Sequence, residues 1–143
     1  MNVFVDANVF FAAARSPHGG SGFVLRMARA GSITVITTEH VLREAERNIR
    51  QSFRERELFA HYQNILQGNY IIQHPFEFVS SEASIAARYV PGKDVPILVG
   101  AVLARADVLL TLDRRHFSRN EALLKLQLPI EIMEPSDFLK KYF

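Results

Sequence analysis

Two short apolar runs that each close on an aspartate carry the chemistry of this chain: Val3-Phe4-Val5-Asp6-Ala7-Asn8 and Val108-Leu109-Leu110-Thr111-Leu112-Asp113. In an open parallel sheet, ligands bind in the crevice beyond the carboxyl ends of the strands. Two such strands would deliver Asp6 and Asp113 to one crevice. Asp94 opens an apolar helical run in Gly92-Lys93-Asp94-Val95-Pro96-Ile97, and Glu44 or Glu46 on the first turns of a long helix would add a fourth carboxylate. Two carboxylates about 4 Å apart repel by roughly 4 kcal/mol at an effective dielectric of ~20. Four of them need raised pKa values, nearby Arg or Lys, or bound cations. Oxygen ligands favour Mg²⁺ or Mn²⁺ over zinc. Such an ion lowers the pKa of a water and stabilises charge on a phosphoryl group. Each aspartate also has a local reading. Asp6 and Asp94 suit helix N-caps, and Asp113 suits a turn.

The elements that must position these groups follow from hydrophobic patterning. Near-continuous apolar runs at 3–5, 33–37, 70–73, 108–111 and 130–133 read as strands covered on both faces. Helical patterns alternate with them, so the fold class is α/β with a mostly parallel sheet. Helices are expected directly after the first strand and over 21–30, 81–89, 95–106 and 135–142. Gly31 is the stop signal of the second. A long helical stretch runs from 39 to 67, with a break expected near 52–57 and its end at Gly68-Asn69. Leu42, Ala45, Ile49 and Phe53 form its expected buried stripe. Leu58, Tyr62, Ile65 and Leu66 suggest a second one. Arg43, Arg47, Arg50 and Arg54 share the period on the opposite side and suit a phosphate backbone, an acidic peptide or a solvated face. Phe53, Phe59 and Tyr62 read as core or dimer contacts. Residues 16–22 read as a connecting loop, because they lack the Gly-Lys-Ser/Thr ending of a phosphate-binding loop.

Composition narrows the classes. The chain has 143 residues and a 48% apolar fraction, enough for one domain over 1–143 with one core. It has no cysteine, which excludes disulfides, thiolate nucleophiles and thiolate zinc sites. The five histidines show no short metal-ligand spacing among themselves. No apolar run approaches the ~18 residues of a membrane span, and the start lacks a basic secretory leader. A cytoplasmic protein without membrane contact is expected. Net charge is only +2, yet 13 of the 17 basic residues are Arg, whose guanidinium matches phosphate bidentately.

Taken in order and spacing, these residues resemble a PIN domain, the family of Mg²⁺/Mn²⁺-dependent ribonucleases that includes the toxins of many toxin–antitoxin pairs. The resemblance covers nearly the whole chain. Val3–Val9 resembles the family's strand–Asp–x–Asn start, and Val41-Leu42-Arg43-Glu44-Ala45 the segment with its helix glutamate. The run from Asp94 to Ala101 resembles the third acidic motif, and that from Ala106 to Phe117 the final strand–Thr–x–Asp segment. The resemblance implies a three-layer fold, with a parallel sheet of about five strands in the order 3-2-1-4-5 and helices on both faces. It implies Asp6, Glu44, Asp94 and Asp113 as catalytic and metal-binding residues, with Asn8 and Thr111 as supporting polar groups. It also implies Mg²⁺ or Mn²⁺ as cofactor and water attack on an RNA phosphodiester that leaves 5′-phosphate and 3′-hydroxyl ends. A homodimer and a cognate antitoxin are the implied protein partners. Glu46 lies nearer the expected helix stripe than Glu44 and stays the rival for the helix acid. Arg114, Arg115 and His116 follow Asp113 and are candidate substrate contacts, with His116 an alternative acid or base. Asp107 reads as a loop residue at the opposite sheet end.

Three other readings are weaker. A haloacid-dehalogenase-type phosphatase needs an acid two residues after its nucleophilic Asp, where this chain has Asn8. A two-component receiver domain needs an acidic pair near the first strand end and Lys-Pro after the last strand, where this chain has Glu134-Pro135. A non-catalytic PIN-like module binding RNA or protein is the main alternative, and the complete acidic set speaks against it.

Overall fold

The computed structural model describes residues 1–73 and 80–143. Five strands form one sheet: β1 (Asn2–Val5), β2 (Thr34–Thr38), β3 (Tyr70–Gln73), β4 (Val108–Leu110) and β5 (Glu131–Met133). Their order is β3-β2-β1-β4-β5, and every neighbouring pair is parallel. The helices are α1 (Ala7–Arg15), α2 (Gly20–Arg29), α3 (Glu39–Ser52), α4 (Glu55–Gln67), α5 (Ser80–Ala86), α6 (Val95–Leu103), α7 (Glu121–Leu124) and α8 (Pro135–Tyr142).

The sheet order explains the layering. From β1 to β3 the chain steps toward one edge. It then returns past β1 to build β4 and β5 on the other side. Crossovers between parallel strands are right-handed, so this reversal puts the later helices on the opposite face. Accordingly α1 packs against α2, α3 and α4, while α5 packs against α6; α8 returns to lie on α2. Covered on both faces, the central strands bury Val3, Phe4, Val5, Val108, Leu109 and Leu110. Gly100 of α6 sits against the Phe4 ring, which a Cβ at that position would meet at 3.4 Å. The outer strand β3 is different. Ile71 and Ile72 are exposed at 47% and 44%, so its apolar run does not mark a doubly covered strand.

Local sequence accounts for most element ends. Gly31 has φ +74°, and with Ser32 it closes α2 through N–H bonds to Ala28 and Met27. Thr38 caps α3 by accepting from the Val41 N–H at 3.2 Å. The expected interruption of the long helical stretch is real: α3 ends at Ser52 and α4 begins at Glu55.

Three expectations need correction. Residues 20–22 are not loop but the first turn of α2, with Ser21 and Gly22 buried. A Cβ on Gly22 would lie 2.1 Å from the Pro17 carbonyl oxygen, so glycine here permits close packing and does not break the helix. The fully buried stripe of α3 is Val41, Ala45 and Ile49, with Leu42 and Phe53 only partly buried. On α4 the buried residue is His61, edge-on to Phe10 at 5.7 Å, whereas Leu66 is 84% exposed. Phe59 is exposed, Phe53 packs at a tilt against Phe11 at 4.9 Å, and the Tyr62 hydroxyl accepts from Arg50 at 3.0 Å. No helix among the described residues is long and apolar enough to cross a membrane.

Candidate metal centre

The site forms where β1 and β4 end side by side. Val5 pairs with Leu110, so the next residues, Asp6 and Thr111, face each other at the carboxyl edge of the sheet. Both are buried. The Thr111 hydroxyl donates to Asp6 Oδ2 at 2.7 Å, and Asn8 Nδ2 donates to the same oxygen at 3.0 Å. Asp6 Oδ1 accepts from the Ala7 N–H at 2.7 Å and so also caps α1. Asp6 caps α1 with one oxygen while its other oxygen faces Thr111.

Asn8 and Thr111 then organise the segment after β4. Asn8 Oδ1 accepts from the Leu112 N–H at 2.9 Å, and Thr111 Oγ1 accepts from the Asp113 N–H at 3.1 Å. These bonds fix the turn that presents Asp113. That carboxylate begins a π-helical turn over Arg114–Ser118, where its Oδ1 accepts from the His116 N–H at 2.9 Å. Such turns are rare and concentrate at functional sites.

Asp94 arrives from the other face, at the start of α6 in a 3₁₀ turn over Gly92–Asp94. It does not make the side-chain cap bond that its position before Pro96 suggests. Its carboxylate points toward Asp113 and His116. His116 Nδ1 lies 2.8 Å from Asp113 Oδ2 and 3.0 Å from Asp94 Oδ2. One imidazole N–H cannot serve both oxygens. It bonds to Asp113, and Asp94 Oδ2 is left covered from solvent with no hydrogen-bond partner.

The electrostatics follow from burial and crowding. Desolvation pushes the Asp6 carboxyl up to about 6, the hydrogen bonds from Thr111 and Ala7 pull it down, and the charges of Glu44 and Asp94 add to the rise. Asp94 is also raised, first by burial, with Lys93 and His116 opposing and the charges of Asp113 and Glu44 reinforcing. Glu44 is thus close enough to act on both aspartates. Glu46 points elsewhere, bonding to Arg50 at 3.0 Å, and the Tyr62 hydroxyl and Arg50 hold its pKa down.

The corrected stripe of α3 places the two glutamates on opposite flanks. From a centre set by Val41, Ala45 and Ile49, Glu44 and Glu46 each lie about 100° around an ideal helix, on opposite flanks. One flank meets the sheet crevice; the other meets α4.

The other sequence candidates separate. Arg114 forms a two-pronged pair with Glu134, 2.8 and 2.9 Å, which ties the turn to the start of α8. Arg115 is exposed. His116 is part-buried, with its Nδ1 between the Asp94 and Asp113 carboxylates. The signal was Asp113-x-x-His116, three residues apart on a helical turn, which a search for histidine pairs passes over. Asp107 lies at the far sheet end, bonding to the Asn2 N–H at 2.7 Å. The arginines of α3 are exposed, and His74 lies outside the described residues.

A divalent cation suits this donor set on one physical ground. A buried carboxylate oxygen without a partner is costly, and Asp94 Oδ2 is in that state beside the Asp113 carboxylate. One ligand atom each from Asp94, Asp113 and His116 lie within 4.8 Å of one another.

Comparison with known proteins bears on the fold and the family. Solved structures with the same fold include VapBC2 from Rickettsia felis bound to a DNA fragment from its promoter. The similarity covers 94% of this chain and 98% of that one, at 13% identity and a TM-score of 0.67. A second is VapC20 of Mycobacterium tuberculosis, a sarcin-ricin loop cleaving toxin. Here 80% of this chain and 92% of that one align, at 16% identity and a TM-score of 0.56. No curated protein matches the chain in sequence. A family model described as the PIN domain matches residues 2–115, a span holding all four expected acidic positions and both polar residues that brace Asp6. The chain therefore belongs to the PIN-domain family.

Proposed function

We propose that this protein is an endoribonuclease that hydrolyses RNA phosphodiester bonds with Mg²⁺ or Mn²⁺, and that it acts as the toxin of a toxin–antitoxin pair. The observation that carries the reading is the meeting of Asp94 and Asp113 from distant segments at one crevice, near enough to Asp6 and Glu44 that Asp94 and Glu44 both act on the Asp6 charge. Asp6, Glu44, Asp94 and Asp113 are the residues that would hold the cation. When bound, it supplies Lewis-acid charge for activating a water and stabilising a phosphoryl oxygen.

The chain's own groups do the positioning. Thr111 and Asn8 fix the Asp6 carboxylate in one orientation by two donated bonds. The same two residues brace the turn that carries Asp113. Arg114, held by Glu134, anchors that turn to α8, and exposed Arg115 is free to meet a backbone phosphate. The fold shared with VapC20, a toxin that cleaves the sarcin-ricin loop, supports an RNA substrate. The fold shared with VapBC2 supports a cognate partner protein. A homodimer accompanies this reading.

The test is cleavage of a structured RNA by purified protein with Mn²⁺, with Mg²⁺ and after exhaustive chelation. Cleavage is expected only with a cation, and Asp6→Asn is expected to abolish it. Cleavage by the chelated protein, or at the parent rate by Asp6→Asn, overturns the reading.

A further inference from the structure

The assigned acids are oxygen donors, yet the tightest cluster in the crevice includes a nitrogen. We propose that His116 Nδ1 is a direct ligand of the divalent cation held by Asp94 and Asp113, and that this nitrogen biases the centre toward Mn²⁺ over Mg²⁺. This inference rests on the cation-dependent reading of the site given above.

The distances fit a coordination shell. Adjacent ligands of a six-coordinate ion with bonds of about 2.1 Å stand about 3 Å apart. His116 Nδ1 stands 2.8 Å from Asp113 Oδ2 and 3.0 Å from Asp94 Oδ2. Both separations match those of neighbouring corners of such an octahedron, and all three ligand atoms lie within 4.8 Å of one another.

The imidazole is also held in place. The His116 N–H donates to Asp113 Oδ1 at 2.9 Å. Its carbonyl accepts from Asn120 Nδ2 at 3.0 Å, and the same amide nitrogen donates to the Tyr89 carbonyl at 2.8 Å. The π-helical turn directs the side chain back over Asp113, three residues earlier. A ligand whose orientation is fixed by its own backbone and by hydrogen bonds around it is what metal centres require.

The hydrogen bonding is incomplete without a cation. Three ligand atoms share one Nδ1 proton, and Asp94 Oδ2 goes without a partner. A cation among them satisfies all three at once. On binding, the neutral imidazole takes its Nε2–H tautomer: the Nδ1 proton is released to solvent, Nε2 takes one up, and the freed Nδ1 lone pair goes to the ion.

The chemistry of selection follows. Mg²⁺ favours oxygen ligands and retains its waters, whereas imidazole suits transition ions. Two carboxylate oxygens and one imidazole therefore favour Mn²⁺ more than a set of carboxylates alone. Glutamine at this position offers an amide oxygen and keeps the backbone N–H that bonds Asp113.

The experiment is Mn²⁺ and Mg²⁺ titration by calorimetry of the full chain and of His116→Gln, with pulsed electron paramagnetic resonance of the Mn²⁺-loaded proteins. The expected result is a directly bound ¹⁴N coupling in the parent that His116→Gln loses. Its Mn²⁺ affinity should fall roughly tenfold or more. Mg²⁺ affinity should change much less. Bound Mn²⁺ without a nitrogen coupling in the parent, or with one that persists in His116→Gln, overturns this inference and leaves the carboxylate site standing. A parent protein that binds no Mn²⁺ overturns both.

Discussion

Asp6 pays for its position with a buried charge. Its carboxyl titrates near 6 in the folded chain against an ordinary 3.8. The folded state therefore binds this proton more tightly than the unfolded chain does. Without metal, the stability linked to Asp6 is present in full below about pH 4 and is lost as pH rises through about 6. The loss amounts to roughly 3 kcal/mol when complete. Asp6→Asn removes the charge but cannot satisfy Asn8 Nδ2 as well as a carboxylate does. In chelator at pH 8 the variant should be more stable than the parent by about 1 to 2 kcal/mol, because a lost hydrogen bond offsets part of the gain. Denaturant melts decide this, and a less stable variant refutes the burial account. The same titration sets the metal chemistry. Protons compete with the cation, so Mn²⁺ affinity should drop as pH falls through about 6. Thr111→Val leaves Asp6 Oδ2 without its shortest donor and Asp113 N–H without its acceptor. That variant should lose about 1 to 3 kcal/mol. Its Asp6 should titrate higher still, which can be followed by NMR of the carboxyl.

Helix α3 carries two glutamates that look alike in sequence and differ in use. Glu44→Gln should reduce cleavage at least a hundredfold if it holds the cation with Asp6 and Asp94 (a ligand loss of about 3 kcal/mol or more). Glu46→Gln removes only the exposed contacts with Arg50 and Tyr62, so its rate should stay within about twofold. Equal losses in the two variants would mean that the helix is turned otherwise. The element types, their order and the acidic positions were legible from short apolar runs, Gly31 and the aspartates at strand ends. The rotation of α3 was not, because Leu42 and Val41 are adjacent apolar residues and periodicity cannot say which one faces the sheet. Only packing against α1 decides that. The π-helical turn was equally hidden, because its defining bonds, such as Arg119 N–H to the Arg114 carbonyl at 2.8 Å, leave no pattern in residue type. For the same reason the sequence offered His116 as a substrate contact or an acid or base, without the contact of its Nδ1 with both carboxylates.

Across the whole molecule, two buried titratable groups pull stability in opposite directions. His61 is 1% exposed, its Nδ1 has no hydrogen-bond partner, and burial holds its pKa below the usual 6.5. Its stabilising share is present above about pH 6.5 and is lost as pH falls through its lowered pKa. Asp6 gains over an overlapping range. The metal-free parent should therefore show a flatter acid limb than either single variant. His61→Leu should steepen the gain on acidification, and Asp6→Asn should expose the loss, both by thermal melts from pH 4 to 8. Parallel curves for all three proteins would refute this opposition.

The pairing of β1 with β4 has a consequence for biosynthesis. Asp6 and Asp113 reach one sheet edge only when β4 slides in beside β1, a strand made long before it. A growing polypeptide that has emerged only as far as α6 carries most of the acids but has nothing to complete the crevice. Under the proposed function, cleavage by nascent chains is postponed until β4 has been made, and a stop before β4 yields an inactive fragment.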